Sequence, residues 1–188
     1  MPPSKITGSE FFELQRMTYG FTATLLESAL NLDKTLALGI VDEQAIKDIA
    51  AFKRAGHFTY DPEVIMPVWM TSGLGLPVRL IAYYDRTPVA YAMGAMSQKS
   101  IDVHYWEVST VAPKEVHVHW VPVLLAALED LSVSAASLSE NEICIEQFAF
   151  TSPDRCDIIP FESAGFEFVE NYDKSIPAVV TYRTAVTI

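Results

Sequence analysis

Apolar residues recur near helical spacing through the first third of the chain. Phe11, Phe12, Leu14 and Tyr19 follow Ser9, which suits a helix cap. A second run over 22–38 carries Leu25, Leu26, Ala29, Leu30 and Leu32, and Gly39 suits its end. Asp42 then caps a third helix, EQAIKDIAAFKRAG, closed by Lys53, Arg54 and Gly56. Together these make a helical section over 9–56. The stretch 57–77 reads as irregular, because Pro62, Pro67, Gly73, Gly75 and Pro77 break any period.

Beyond it the period falls from near four to two. VRLIAYYD (78–85) and VAYAMGAMS (89–97), joined by Arg86-Thr87-Pro88, predict an antiparallel hairpin. IDVHYWEVSTVA (101–112) alternates strictly. Ile101, Val103, Tyr105, Glu107, Ser109 and Val111 fall on one face, and Asp102, His104, Trp106, Val108 and Thr110 on the other. A loop follows Pro113, then a helix over 120–136 with Pro122 in its first turn, where a missing N–H costs little. EICIEQFAF (142–150) reads as a strand, 152–165 as a short helix, and FEFVENY (166–172) and AVVTYRTAV (178–186) as closing strands. The helix near 120–136 separates two strands, so it should cross over to a parallel neighbour. The prediction is an α/β (α+β) fold: one domain over 1–188, with a mixed, mostly antiparallel sheet over 78–188 flanked by helices.

Composition narrows the function. Half the residues are hydrophobic and 11% aromatic, enough for one well-buried core in 188 residues. The longest apolar run, 120–128, is far shorter than the ~20 residues that span a bilayer. The N-terminus has no basic-then-apolar signal pattern, and Cys144 and Cys156 have no metal-type spacing. These features point to a cytoplasmic protein. The formal charge of −11, from 24 acidic and 13 basic residues, argues against nucleic-acid or membrane partners. It steers amines or basic proteins instead.

Two motifs carry a resemblance to a family. Val111-Ala112-Pro113 ends the alternating strand before a loop and an apolar helix, and Phe161-Glu162-Ser163-Ala164-Gly165-Phe166 precedes a later strand. In these motifs and in element order over about 78–175, the chain resembles the GCN5-related N-acetyltransferases. The resemblance implies their acyl-CoA N-acyltransferase fold and acetyl transfer from acetyl-CoA to an amine. It places the cofactor between the strands at 101–112 and 142–150, in contact with Val111, Pro113, Val116, His117, Val118, His119 and Trp120. The diphosphate would rest on backbone N–H groups of 116–120, and the thioester carbonyl on an amide near 109–111. The chain departs from the family pattern at Val116, His119 and Val121, where the loop carries Arg or Gln and glycines. It departs again at Phe161, where a tyrosine often protonates the thiolate, and it leaves little room in 1–8 for the family's first strand.

Glu107 is the candidate general base, or else a carboxylate that sits near a strand end or pairs with a cation; the same alternatives apply to Asp102 and His104. Tyr172 and Tyr182 are candidate acids, or half-buried packing residues. His117 and His119, pointing the same way in an extended loop, read as a polar rim rather than a metal pair. Cys144 reads as core. Two functions follow: an acetyltransferase acting on a small-molecule or protein amine, and an inactive domain of that fold that binds a basic protein partner. The closing strand AVVTYRTAV offers an edge for a homodimer.

Overall fold

The computed structural model describes residues 6–30, 32–60, 64, 75–140, 142–153, 155–174 and 176–182. Much of the irregular stretch expected at 57–77 lies outside these residues, as does the end of the last expected strand, 183–186.

The first two expected helices are one. Helix α1, Gly8–Leu30, runs through Gly20 without a break, and its buried side is Phe11, Gln15, Thr18, Tyr19, Thr22 and Ala23. Its cap is Thr7 rather than Ser9. The Thr7 hydroxyl accepts the Glu10 N–H at 3.2 Å, and the Glu10 carboxylate accepts the Thr7 N–H at 2.8 Å. This reciprocal pair satisfies donors that a helix start leaves open.

The helix expected over 22–38 ends at Leu30, and strand β1, Leu36–Gly39, follows. Leu36 and Leu38 are buried and Ala37 is exposed, a period of two over four residues. Glu27 at the end of α1 accepts the Leu36 N–H at 3.0 Å and so ties the strand to the helix. A strand therefore does precede the helix that starts after Asp42, with a whole further helix ahead of it.

Helix α2, Glu43–Arg54, starts at Asp42 as expected, whose side chain accepts the Ala45 N–H at 2.9 Å. Strands β2 (Leu76–Tyr84) and β3 (Thr87–Met96) form the hairpin. Its turn is Asp85-Arg86, one residue earlier than expected, with φ of 50° and 65° as a type I′ turn requires. Pro88 sits inside β3 opposite Tyr83, where the register shifts and a missing N–H is tolerated. Strand β4, Ser100–Val108, is followed by helix α3, Lys114–Leu138, strand β5, Gln147–Thr151, helix α4, Arg155–Ser163, and strands β6, Glu167–Asp173, and β7, Ile176–Tyr182.

The seven strands form one sheet in the order β1-β2-β3-β4-β5-β7-β6. Among the described residues only β4 and β5 pair in parallel, as the crossover through α3 requires. Strand β7 lies between β5 and β6, so it is not the exposed edge expected of AVVTYRTAV; the edges are β1 and β6.

The main core lies between one face of the sheet and helices α1, α3 and α4. Helix α2 covers a smaller cluster on the other face, around Ile49, Phe58, Ile81 and Tyr91. Helix α3 is long and apolar enough to cross a membrane by length and composition. Its buried residues, among them Val116, Trp120, Leu124, Leu128 and Leu131, make it the central core helix.

Where β1 stops, a side chain continues its bonding. Strand β1 pairs with β2 only as far as Ile81. Past that point the buried Gln15 amide donates to the Pro77 carbonyl at 3.0 Å and accepts the Arg79 N–H at 2.8 Å. A buried backbone pair that the sheet leaves open is thus closed by α1.

Candidate active site

The site is set by an irregularity in β4. Met93 stands opposite Tyr105 and Gly94 opposite Val103, so His104 is the extra residue of a β-bulge. The alternation therefore changes face at this point. Ile101 and Val103 enter the core under α1 and α3, whereas Tyr105 packs on the α2 side and Trp106 takes over the α3 side. The single face expected for Val103, Tyr105 and Glu107 does not exist, because one inserted residue reverses every later side chain. Gly94 permits the bulge: a Cβ there would meet the Asp102 carbonyl oxygen and lie 2.8 Å from Val103 Cα.

The same point opens the sheet. Strands β4 and β5 pair over Ser100–Val103 and Gln147–Phe150 and no further. The Thr151 hydroxyl lies 3.5 Å from the Val103 carbonyl and 3.2 Å from His104 Nδ1, closing the last joined rung. On the α3 and α4 face, aromatic rings fill the angle between the strands. Trp106 meets Phe161 edge-on at 5.3 Å and Phe150 at 6.3 Å, and Phe150 and Phe161 are 4.5 Å apart. Phe161 is fully buried.

Glu107 faces the α2 side and is tied up structurally. Its carboxylate accepts the Thr59 N–H at 2.6 Å, the Tyr60 N–H at 3.3 Å and the Tyr91 hydroxyl at 3.1 Å. The segment after α2 is thereby strapped across the end of β4, where the Thr110 N–H also donates to the His57 carbonyl at 3.1 Å. Glu107 sits at the end of β4, as the structural reading of it expected, and with these three donors on its carboxylate it is the anchor of the strap. Glu107→Gln keeps one acceptor oxygen and adds donors where donors already point. It is expected to cost about 1–2 kcal/mol and to speed amide exchange at Thr59 and Tyr60 about tenfold. Unchanged exchange at those two amides would contradict the anchoring role.

Tyr172 joins a polar group on the α2-side face, away from Trp106. Its hydroxyl donates to Asp102 and accepts from Gln147 Nε2 at 2.6 Å, and Ser100 donates to the other Asp102 oxygen at 2.7 Å. Burial, followed by the bond to Asp102, pushes the phenol well above its usual range, which makes it a poor proton donor. Tyr182 is exposed.

His104, on the bulge, stands beside this group. Burial pushes its imidazole below the ordinary value, and the Asp102 and Asp173 carboxylates only partly offset that. The folded protein therefore binds fewer protons here than the unfolded chain. The stability this gives is complete above the unfolded value near 6.5 and is lost as pH falls through it toward the lower folded value. Urea unfolding between about pH 5 and 7 should show a fall in stability on acidification that His104→Gln reduces. An identical slope in the variant would contradict the assignment.

The expected cofactor loop is helix. α3 begins at Lys114, directly after Pro113, and the N–H groups of Val116 and His117 both bond the Pro113 carbonyl, at 3.0 and 3.2 Å. The N–H groups of Val118, His119 and Trp120 lie within the helix and serve its ladder. Val116 and Trp120 are buried in the main core, while His117 and Val118 face solvent. The two histidines diverge rather than sharing a side, because positions two apart on a helix lie nearly opposite. Val111 is exposed, and the turn 109–112 is closed by the Ala112 N–H on the Ser109 carbonyl at 2.9 Å. The indole N–H of Trp120 is buried and finds no acceptor among the described residues. Cys144, expected in the core, is exposed, because the chain over 142–146 runs outside the ladder and β5 starts only at Gln147. Sequence reasoning undervalued His104, whose place depends on a bulge set by Gly94 on a different strand.

No family model matches the chain, and no curated protein matches it in sequence. Solved structures do match in fold. The N-acetyltransferase PseH of Campylobacter jejuni superposes with a TM-score of 0.51 at 12% identity, over 79% of this chain and 99% of that one. An acetyltransferase of Thermus thermophilus gives 0.53 at 10%, over 79% and 97%. The ribosomal-protein-S18-alanine N-acetyltransferase of Escherichia coli gives 0.52 at 9%, over 81% and 98%. Nearly whole acetyltransferases thus fit within about four-fifths of this chain. On these matches the chain has the fold of the GCN5-related N-acetyltransferases, in a divergent form.

Proposed function

We propose that the chain is an acyl-CoA-dependent N-acyltransferase that moves an acetyl group onto an amine. The observation that carries this reading is the coincidence of the β4 bulge at His104 with the end of the β4–β5 pairing at Val103 and Phe150. An acyl thioester entering that opening would bring its carbonyl to the bulge, and the amine would approach from the α2 side. Two features of the chain fit the cofactor. The N–H groups of Lys114 and Glu115 open α3 with no side-chain cap, and Lys114 supplies a cation for a diphosphate there. The orphan indole N–H of Trp120, on the same helix, is a buried donor suited to an amide carbonyl of a pantetheine arm. Fewer N–H groups serve the diphosphate than the loop register implied, since those of 116–120 belong to the helix.

In this reading the amine nitrogen attacks the thioester carbon, the carbon–sulfur bond breaks, and the thiolate leaves with the bond pair. The proton lost from nitrogen goes to His104, which its surroundings keep neutral. The surface charge of −11 favours a cationic acceptor. Glu107 and Tyr172 keep the structural places described above. The test is thiol release from acetyl-CoA with a panel of primary amines and N-terminal peptides, compared between wild type and His104→Ala. Amine-dependent release lowered about 100-fold in the variant is the expected outcome. Release unaffected by the substitution would remove His104 from the chemistry.

A second reading is favoured by the aromatic filling of Trp106, Phe150 and Phe161 in the angle where the cofactor would enter. Here the chain is an inactive domain of the same fold that binds a basic protein. It predicts no thiol release with any amine from a fully folded protein.

A further inference from the structure

We propose that Asp102 is a positioning residue for His104: fixed beside it on the α2-side face, its carboxylate holds the positive charge that His104 takes up with the amine proton. This role rests on the acyl-transfer reading of the chain. Ile101 and Val103 enter the core, so Asp102 lies on the opposite face, in register with Ala149 of β5. Thr151, two residues on from Ala149, shares that face, and its hydroxyl lies 3.2 Å from His104 Nδ1. The bulge therefore turns His104 to the side of Asp102, one step further along β4.

Asp102 is held from two directions. One carboxylate oxygen accepts the Ser100 hydroxyl at 2.7 Å and the other accepts the Tyr172 hydroxyl. Tyr172 stands on β6, with β7 and β5 between it and β4. Its side chain packs on Ala149, Ala178 and Val180, and the two alanines are low enough for the ring to cross the sheet. Gln147 donates to the Tyr172 hydroxyl at 2.6 Å, which leaves the phenolic proton for Asp102. A carboxylate fixed by two donors is a charge set in place before charge develops at its neighbour.

When the amine nitrogen loses its proton to His104, an imidazolium forms where burial disfavours it. The carboxylates acting on it are Asp102 from its own strand and Asp173 from β6; Tyr172 and Thr151 beside it are neutral. Asp173 is exposed and screened by water and salt, whereas Asp102 is half-buried. Asp102 takes no proton at any step, and His104 returns its own to solvent once the products have left.

Titration of the His104 ring by NMR, its signal identified by loss in His104→Gln, reads this pair without any catalysis. Asp102→Asn keeps an oxygen for Ser100 and Tyr172 but removes the charge. The His104 midpoint should therefore move to lower pH, and thiol release should fall about tenfold with its acid limb displaced the same way. Tyr172→Phe breaks the same tie and keeps the charge, so it should displace the midpoint much less. An unmoved midpoint in Asp102→Asn would overturn the proposal. Equal displacements in the two variants would overturn it too, since loosening and not charge would then be responsible. A wild type that releases no thiol would sink the acyl-transfer reading and this role with it, and the titration would still show whether Asp102 sets the charge of His104.

Discussion

Phe161→Ala should lower stability by about 4 kcal/mol, the largest effect expected of any single substitution considered for this chain. Phe161 is fully buried and touches three other rings: Phe150 at 4.5 Å, Phe166 at 5.2 Å and Trp106 at 5.3 Å. These rings come from β4, β5, α4 and the turn before β6, so a cavity here loosens every element that meets beyond the β4–β5 opening. Thermal unfolding should start about 8–16 °C lower. The conservative change is more informative. Phe161→Tyr adds a hydroxyl and places it among aromatic carbons. It should cost about 1–3 kcal/mol through an unsatisfied buried donor, with no gain in thiol release. A stable, more active Phe161→Tyr protein would mean that the ring borders a wet cleft, contrary to the packing described.

Gly94→Ala should cost about 3 kcal/mol, or about 6–12 °C in the unfolding midpoint. The cause is close approach and not a left-handed backbone. The added methyl would collide with the Asp102 carbonyl and sit 2.8 Å from Val103 Cα, both of them main-chain atoms that a side-chain rotation cannot move aside. Relief requires β3 and β4 to separate at the bulge, which would also displace His104 from Thr151. The variant should therefore lose stability and, on the proposed function, thiol release together. A midpoint within about 2 °C of wild type would show that the bulge is not held as tightly as this geometry implies.

The order of elements after residue 75 was legible in the sequence because each signal there is local. The hairpin of β2 and β3, the presence of an apolar crossover helix and the Gly165 turn depend on neighbours in the chain, as does the earlier cap at Asp42, and each appears in the expected order. The signals that failed depend on distant partners. Leu36 and Leu38 continue a helical spacing from Leu32 as well as they alternate, and only pairing with Ile81–Tyr84 makes them a strand. The bulge at His104 is written in Gly94, which pairs across β3 and gives no sign along β4 itself. It moved Glu107 away from the face where it was expected.

The start of α3 misled for a different reason. Pro122 suited a first turn, so Lys114 to His119 read as loop, yet that stretch contains no glycine and carries Glu115 in its first turn, which favours a helix start. Pro122 lies instead in the third turn, where it withholds one N–H from the Val118 carbonyl on an exposed stretch of helix. The fold was therefore largely readable. The candidate site was less legible: Asp102 and His104 stood beside Glu107 as candidates, but the bulge that sets His104 apart gives no sign along β4 itself.

The most direct test of the account is calorimetric titration of the protein with acetyl-CoA, with CoA alone as the comparison. The proposed function predicts binding in the micromolar range, about −8 kcal/mol, supported by the open start of α3 and the orphan Trp120 donor. Absence of binding at millimolar cofactor would contradict it, and the acetyltransferase fold of this chain would then have to serve a partner rather than a cofactor.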